Sequence, residues 1–171
     1  YFFIKQSIWI LIGSCIAFFL SFISLDLLKK AVPWILLAGL ILSLMTFVPV
    51  IGQPISGARR WIFIFGQSFQ PSEFAKFAIV CYLAYILSRN KERIEDPVNS
   101  VLPPLIVVFI FVIIIYLQND FSTAFFIFFI ALAILFIANV KALYFVMLGA
   151  IIFPAGIVLL FTKVYWVKKL M

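Results

Sequence analysis

The sequence has no histidine, so the usual acid–base group near neutral pH and the commonest transition-metal ligand are both missing. Chemistry must rest on carboxylates, Lys, Arg, Ser, Thr or Tyr. Two clusters of such residues interrupt long apolar runs. The first reads Gly57-Ala58-Arg59-Arg60-Trp61-Ile62, then Gly66, then Gln70-Pro71-Ser72-Glu73-Phe74-Ala75-Lys76. Pro71 suits the first position of a helix, and Glu73 falls in its first turn, where the helix dipole favours an anion. Glu73 and Lys76 share one helix face. Ile62 to Phe65 is too short to cross a bilayer, so this segment is expected at the membrane interface or dipping into it. Trp61 suits that level, and Gly57 and Gly66 permit turns at its ends.

An ionisable pair at the edge of an apolar slab needs a polar cavity or a partner. Two readings follow. In the first, Glu73 and Lys76 simply neutralise each other as an ion pair that keeps helices in register. Alternatively, that pair together with Arg59 or Arg60 lines a cavity for an anionic headgroup, because the planar fork of Arg grips phosphate oxygens bidentately. The second cluster is Gln118-Asn119-Asp120-Phe121-Ser122-Thr123-Ala124. Asp120 stands where a helix N-cap belongs, with Thr123 one turn on, and capping worth about 1 kcal/mol accounts for it without any ligand.

The elements that carry these residues are apolar. The chain of 171 residues is 67% hydrophobic and 11% charged, with 22 Phe, more apolar surface than one soluble core can hide. A bilayer core of roughly 30 Å takes about 20 apolar residues as helix. Six segments approach this: Ile8 to Leu25, Val32 to Ile51, Glu73 to Leu87, Val101 to Leu117, Phe121 to Val140 and Ala142 to Phe161. Their continuity argues for helices over a β-barrel, whose strands alternate at period two. The fold expected is an all-α polytopic transmembrane bundle of about six spans, a single membrane domain over residues 1–171. Breaks are expected at Asp26–Lys30, at Arg89–Pro97, at Gln118–Asp120 and at Asn139–Lys141, with Pro103 and Pro104 opening the fourth span.

The net charge of +7 does not indicate nucleic acid, since the basic residues lie singly or in pairs between apolar runs. Alternation of hinges puts Lys29, Lys30, Arg89, Lys91, Arg93 and Lys141 on one side and Lys5, Arg59, Arg60, Lys163, Lys168 and Lys169 on the other, so charge does not orient the chain. Cys15 and Cys81 both fall in apolar spans and read as packing residues rather than a disulfide. The chain opens on Tyr1 and its first apolar run has no small-residue cleavage site, so a fragment of a longer protein is expected rather than a removable signal.

The pattern Gly-x-x-Arg-Trp-Ile, Gly, Gln-Pro-Ser-Glu-x-x-Lys resembles the signature of the SEDS family, the RodA/FtsW/SpoVE-type peptidoglycan glycosyltransferases. The second cluster resembles the family's Gln-Pro-Asp-x-Gly-Thr-Ala, keeping Gln118, Asp120, Thr123 and Ala124 but with Asn119 for Pro and Ser122 for Gly. The order of spans resembles the second to seventh of about ten, and Tyr165 to Leu170 resembles the basic segment after the seventh. The resemblance implies an enzyme of the bacterial cytoplasmic membrane that polymerises lipid II into glycan strands on the outer face, beside a class B penicillin-binding protein transpeptidase. It implies a substrate cavity with Arg59, Arg60, Gln70, Ser72, Glu73, Lys76, Asp120 and Thr123, framed by Gly57, Trp61, Gly66 and Pro71. A divalent cation placed by Glu73 and Asp120 is a candidate, and no other cofactor is implied. The family's essential Asp lies in the external loop after its seventh span, beyond Met171, so this stretch alone is expected to be inactive. Two other functions compete: a flippase or transporter of lipid-linked precursors, with Glu73 and Lys76 on the path, and a non-catalytic scaffold for the transpeptidase.

Overall fold

The computed structural model describes residues 2–55, 57–64, 67–91, 97–141 and 143–146. Gly66, most of the expected sixth span, the centre of the 89–97 stretch and the segment from Tyr165 to Leu170 lie outside the described residues. Helices α1 (Phe2–Leu20) and α2 (Leu25–Met45) lead into a sheet of β1 (Gly52–Ile55), β2 (Ala58–Ile64) and β3 (Gln67–Phe69). Helices α3 (Pro71–Arg89), α4 (Pro97–Ser100), α5 (Leu102–Leu117) and α6 (Phe121–Ile137) follow. The helical bundle is as expected, and α1 and α2 are each long and apolar enough to cross a membrane.

The first break moves. The charges at Asp26, Lys29 and Lys30 suggested a hinge, yet the turn falls at residues 21–24 and these residues form the opening of α2. Ser24 caps the helix by accepting the Leu27 N–H, Asp26 sits in the first turn, and Lys29 donates to Asp26 one turn away at 3.0 Å. Charged residues at a membrane surface remain helical when cap and dipole agree, so α2 begins and ends about six residues earlier than hydropathy placed it. Residues 46–51 are turns, not span, and Pro33 is carried inside α2.

The core lies between α3, α5 and α6. Ala75, Ile79, Leu83 and Leu87 of α3 bury one face; Leu105, Val108, Phe111 and Ile115 do so on α5, and Ala124, Ile127, Ala131 and Leu135 on α6. Each row steps by three or four residues, one helix face. Small residues set close approaches: a Cβ on Gly39 of α2 would come within 3.2 Å of the Ala78 Cβ on α3. By contrast, Phe3, Trp9, Phe18 and Phe19 leave α1 exposed, as befits a helix whose solvent is lipid.

The short interfacial segment is an antiparallel sheet in the order β1-β2-β3. Backbone at a membrane edge must satisfy its own hydrogen bonds, and pairing Gly52 with Ile62 and Ile62 with Phe69 achieves this. Pro54, with no N–H to give, falls at the irregularity between Gln53 and Ile55 on the edge strand. Gly57 takes φ +77° in the β1–β2 turn.

Candidate functional site

Helix α5 ends at a hinge whose geometry follows from one residue. Asn119 adopts φ +62°, a left-handed conformation that Asn tolerates better than most residues. Its N–H donates to Tyr116 O at 3.0 Å and the Asp120 N–H to Ile115 O at 3.3 Å, the paired closure of a Schellman motif. Asn139 closes α6 the same way, with φ +59°. Asp120 therefore ends one helix and caps the next: its Oδ1 accepts the Thr123 N–H at 3.4 Å at the start of α6.

The Asp120 carboxylate is 3% exposed, and its other donors come from distant sequence. Oδ2 accepts from Gln70 Nε2 at 2.9 Å and from Ser72 Oγ at 3.5 Å. Pro71 opens α3 between them, and Gln70, at the N-cap position, makes no capping bond of its own because its side chain reaches across to α6. Two helix N-termini thus converge on one carboxylate, an arrangement that favours negative charge. Arg60 completes the group, its Nη1 3.9 Å from Asp120 Oδ1.

Strand β2 delivers Arg60 to this point. The Arg59 N–H donates to Gln118 O at 3.0 Å and Asn119 Nδ2 donates to Gly57 O at 2.9 Å, so the turn before β2 is fastened to the α5–α6 hinge. The guanidinium is not saturated: its Nε is buried and has no hydrogen-bond partner among the described residues. Beneath the hinge, Gln118 is fully buried and its Nε2 donates to Ser43 O of α2 at 2.9 Å.

Glu73 and Lys76 form a separate pair. Lys76 Nζ lies 2.8 Å from Glu73 Oε1, with the carboxylate side chain 58% exposed, and the same ammonium sits 5.3 Å from the centre of the Phe126 ring on α6. The structure thus brings together Arg60, Gln70, Ser72, Asp120 and Thr123. Glu73 follows Ser72 directly and pairs with Lys76 one turn further along α3, while Arg59 contributes its backbone at the hinge. Gly57 and Pro71 shape the turn and the helix start, while Trp61 is half-buried on β2, its backbone paired with Gln53. Among the described residues no three His, Cys, Asp or Glu side chains converge to hold a metal ion. Nor do the groups around Asp120 suit a divalent cation, since its oxygens already accept from an amide, a hydroxyl and a backbone N–H.

Sequence reasoning missed the roles of Asn119 and Ser43. Asn119 carried a signal, an amide just after an apolar helix in a C-terminal capping position. Ser43 did not stand out, since a single Ser in an apolar run is ordinary. An apolar recess of about 240 Å³ with Leu25, Lys29, Val32 and Cys81 among its walls lies toward the start of α2 and the end of α3, at the far end of α3 from Asp120.

The whole chain, residues 1–171, matches the family model described as cell cycle protein FtsW/RodA/SpoVE. It is 33% identical over 172 residues to a protein from a Geobacter species named probable peptidoglycan glycosyltransferase FtsW, covering 99% of this chain and 47% of that one. A protein of the same name from Coxiella burnetii is 30% identical over 170 residues, covering 99% of this chain and 46% of its own length. Among solved structures, the rod shape determining protein RodA of Thermus thermophilus superposes with a TM-score of 0.68 at 26% identity, covering 88% of this chain and 49% of RodA. A chain from a peptidoglycan synthase complex shares the fold, with a TM-score of 0.73 at 24% identity over 88% of this chain and 43% of its own. The chain spans about half the length of the relatives it matches.

Proposed function

This chain belongs to the FtsW/RodA/SpoVE family of membrane proteins, and we propose that it is part of a peptidoglycan glycosyltransferase that polymerises lipid II into glycan strands at the bacterial cytoplasmic membrane. In that reaction a sugar hydroxyl of the acceptor attacks the anomeric carbon of the donor. The new glycosidic bond forms as the bond to the lipid pyrophosphate breaks, and the hydroxyl proton passes to a base. The protein must therefore hold a pyrophosphate whose negative charge grows as it departs.

The observation that carries this reading is the state of Arg60. Its side chain is 41% exposed, its guanidinium lies 3.9 Å from a buried carboxylate, too far for a closed fork, and its buried Nε–H has no partner among the described residues. A guanidinium that is partly exposed and not closed on its carboxylate suits an incoming phosphate oxygen. Asp120 serves to aim Arg60 rather than to take the proton, since hydrogen bonds already reach both of its oxygens. The base is expected to be another carboxylate of the full-length protein. Lys76 adds positive charge one turn along α3, and Glu73 holds its ammonium.

In this reading the β1–β3 sheet and the Asp120 hinge face outward, and Lys29, Lys30 and Arg89 face the cytoplasm. A class B penicillin-binding protein is the proposed partner, which would cross-link strands as they emerge. The test is to reconstitute the full-length protein with that transpeptidase in proteoliposomes, supply lipid II, and resolve the products by gel. Glycan strands are expected. Transfer of lipid II across the bilayer without glycan would instead make it a transporter, and complex formation with neither activity would make it a scaffold.

A further inference from the structure

We propose that Asn119 is a positioning residue that clasps the arginine strand over Asp120, and that its side-chain amide, not only its backbone, sets the reach of Arg60. The proposal builds on the reading of Arg60 as the pyrophosphate ligand.

Two hydrogen bonds bracket the start of β2. Asn119 Nδ2 holds Gly57 O at 2.9 Å, and Gln118 O holds the Arg59 N–H at 3.0 Å. Both come from the hinge residues immediately before Asp120, and Arg60 is the next residue of the strand. The clasp fixes the arginine and the carboxylate to the same short piece of backbone, although Gly57 and Asn119 are 62 residues apart. Each end of the amide bond is itself in a left-handed conformation, φ +77° at Gly57 and φ +62° at Asn119. Proline at 119 could supply neither the left-handed turn nor the side-chain amide. Its ring holds φ near −65°, and it lacks the N–H that closes α5 on Tyr116 O. Aspartate would keep the shape but oppose a carboxylate to the Gly57 carbonyl. Glycine would keep the left-handed backbone and delete only the clasp.

That last difference makes the proposal testable without unfolding the hinge. Full-length wild type, Asn119→Gly and Asn119→Asp in lipid nanodiscs are compared by hydrogen exchange of the 57–61 segment. Loss of one hydrogen bond of ordinary strength should speed exchange there about fivefold, leaving α3 and α5 unchanged. In the lipid II assay kcat/KM should fall about fivefold, and the same substitution should cost nothing further in an Arg60→Lys background, because the fork it positions is gone. Unchanged exchange in Asn119→Gly would overturn the clasp. Faster exchange with full activity, or with a loss that persists undiminished beside Arg60→Lys, would overturn its action through Arg60. Should the wild type make no glycan, the functional reading falls and the exchange result alone decides the clasp.

Discussion

A carboxylate that is 3% exposed at a membrane edge is expensive unless it is paired and hydrogen-bonded, and Asp120 is both. Gln70, Ser72 and the Thr123 N–H supply the hydrogen bonds, and Arg60 supplies the charge. Asp120→Asn should therefore lower stability by about 2 kcal/mol, since a charge-assisted bond is lost and two amides then face each other at Gln70. Thermal unfolding in detergent measures this, and an unchanged midpoint would show that Asp120 is not held by these donors. Glu73 and Lys76 make a different case. Their pair is partly exposed and contributes little to stability. If it serves the substrate, Glu73→Ala or Lys76→Ala should abolish polymerisation while membrane insertion stays normal; wild-type rates in both would leave the pair a purely structural one. At this scale the sequence made Arg60, Gln70, Glu73 and Asp120 visible through residue type and spacing. It could not show that Gln70 meets Asp120 across 50 residues, because no local period reports a contact between two helix N-termini.

At the scale of elements, apolar length located α3, α5 and α6 well, while composition concealed their faces. In α6 nearly every residue from Phe121 to Ile137 is apolar, so the buried row of Ala124, Ile127, Ala131 and Leu135 has no polar contrast to mark it. The small residues in that row are the legible remnant. The sheet was less legible still: β1 to β3 are short strands, and their pairing arises from backbone needs at an interface rather than from alternation. Its junction with α2 depends on Gly52, whose N–H donates to Val48 O at 2.8 Å and whose missing Cβ leaves room for the Thr46 backbone. Gly52→Ala would drive a methyl into that carbonyl. The expected cost is about 1–3 kcal/mol, with β1 displaced. A variant that unfolds like the wild type would show that the junction yields more easily than its packing implies.

The molecule as a whole places two functional-looking features at opposite ends of α3. Asp120, Arg60 and the sheet lie at its start; Arg89 and the basic opening of α2 lie at its end. The balance of positive charge could not orient the chain, because basic residues flank both ends. The hinge contacts to Gly57 and Arg59 do place the second cluster on the same side as the first. Single cysteines introduced at Gly57 and at Lys91, in a background without Cys15 and Cys81, should accordingly react with impermeant reagents from opposite faces, Gly57 from outside; labelling of both from one face would contradict this arrangement. On the proposed reading, the junction of β2 with the α5–α6 hinge holds a lipid pyrophosphate through Arg60. Its most direct test is the affinity of the full-length protein, in nanodiscs, for undecaprenyl pyrophosphate in wild type and Arg60→Lys. Lysine preserves the charge but loses the fork, so affinity should fall by about tenfold. Equal affinity in the two proteins would contradict the account and leave Arg60 a simple headgroup contact.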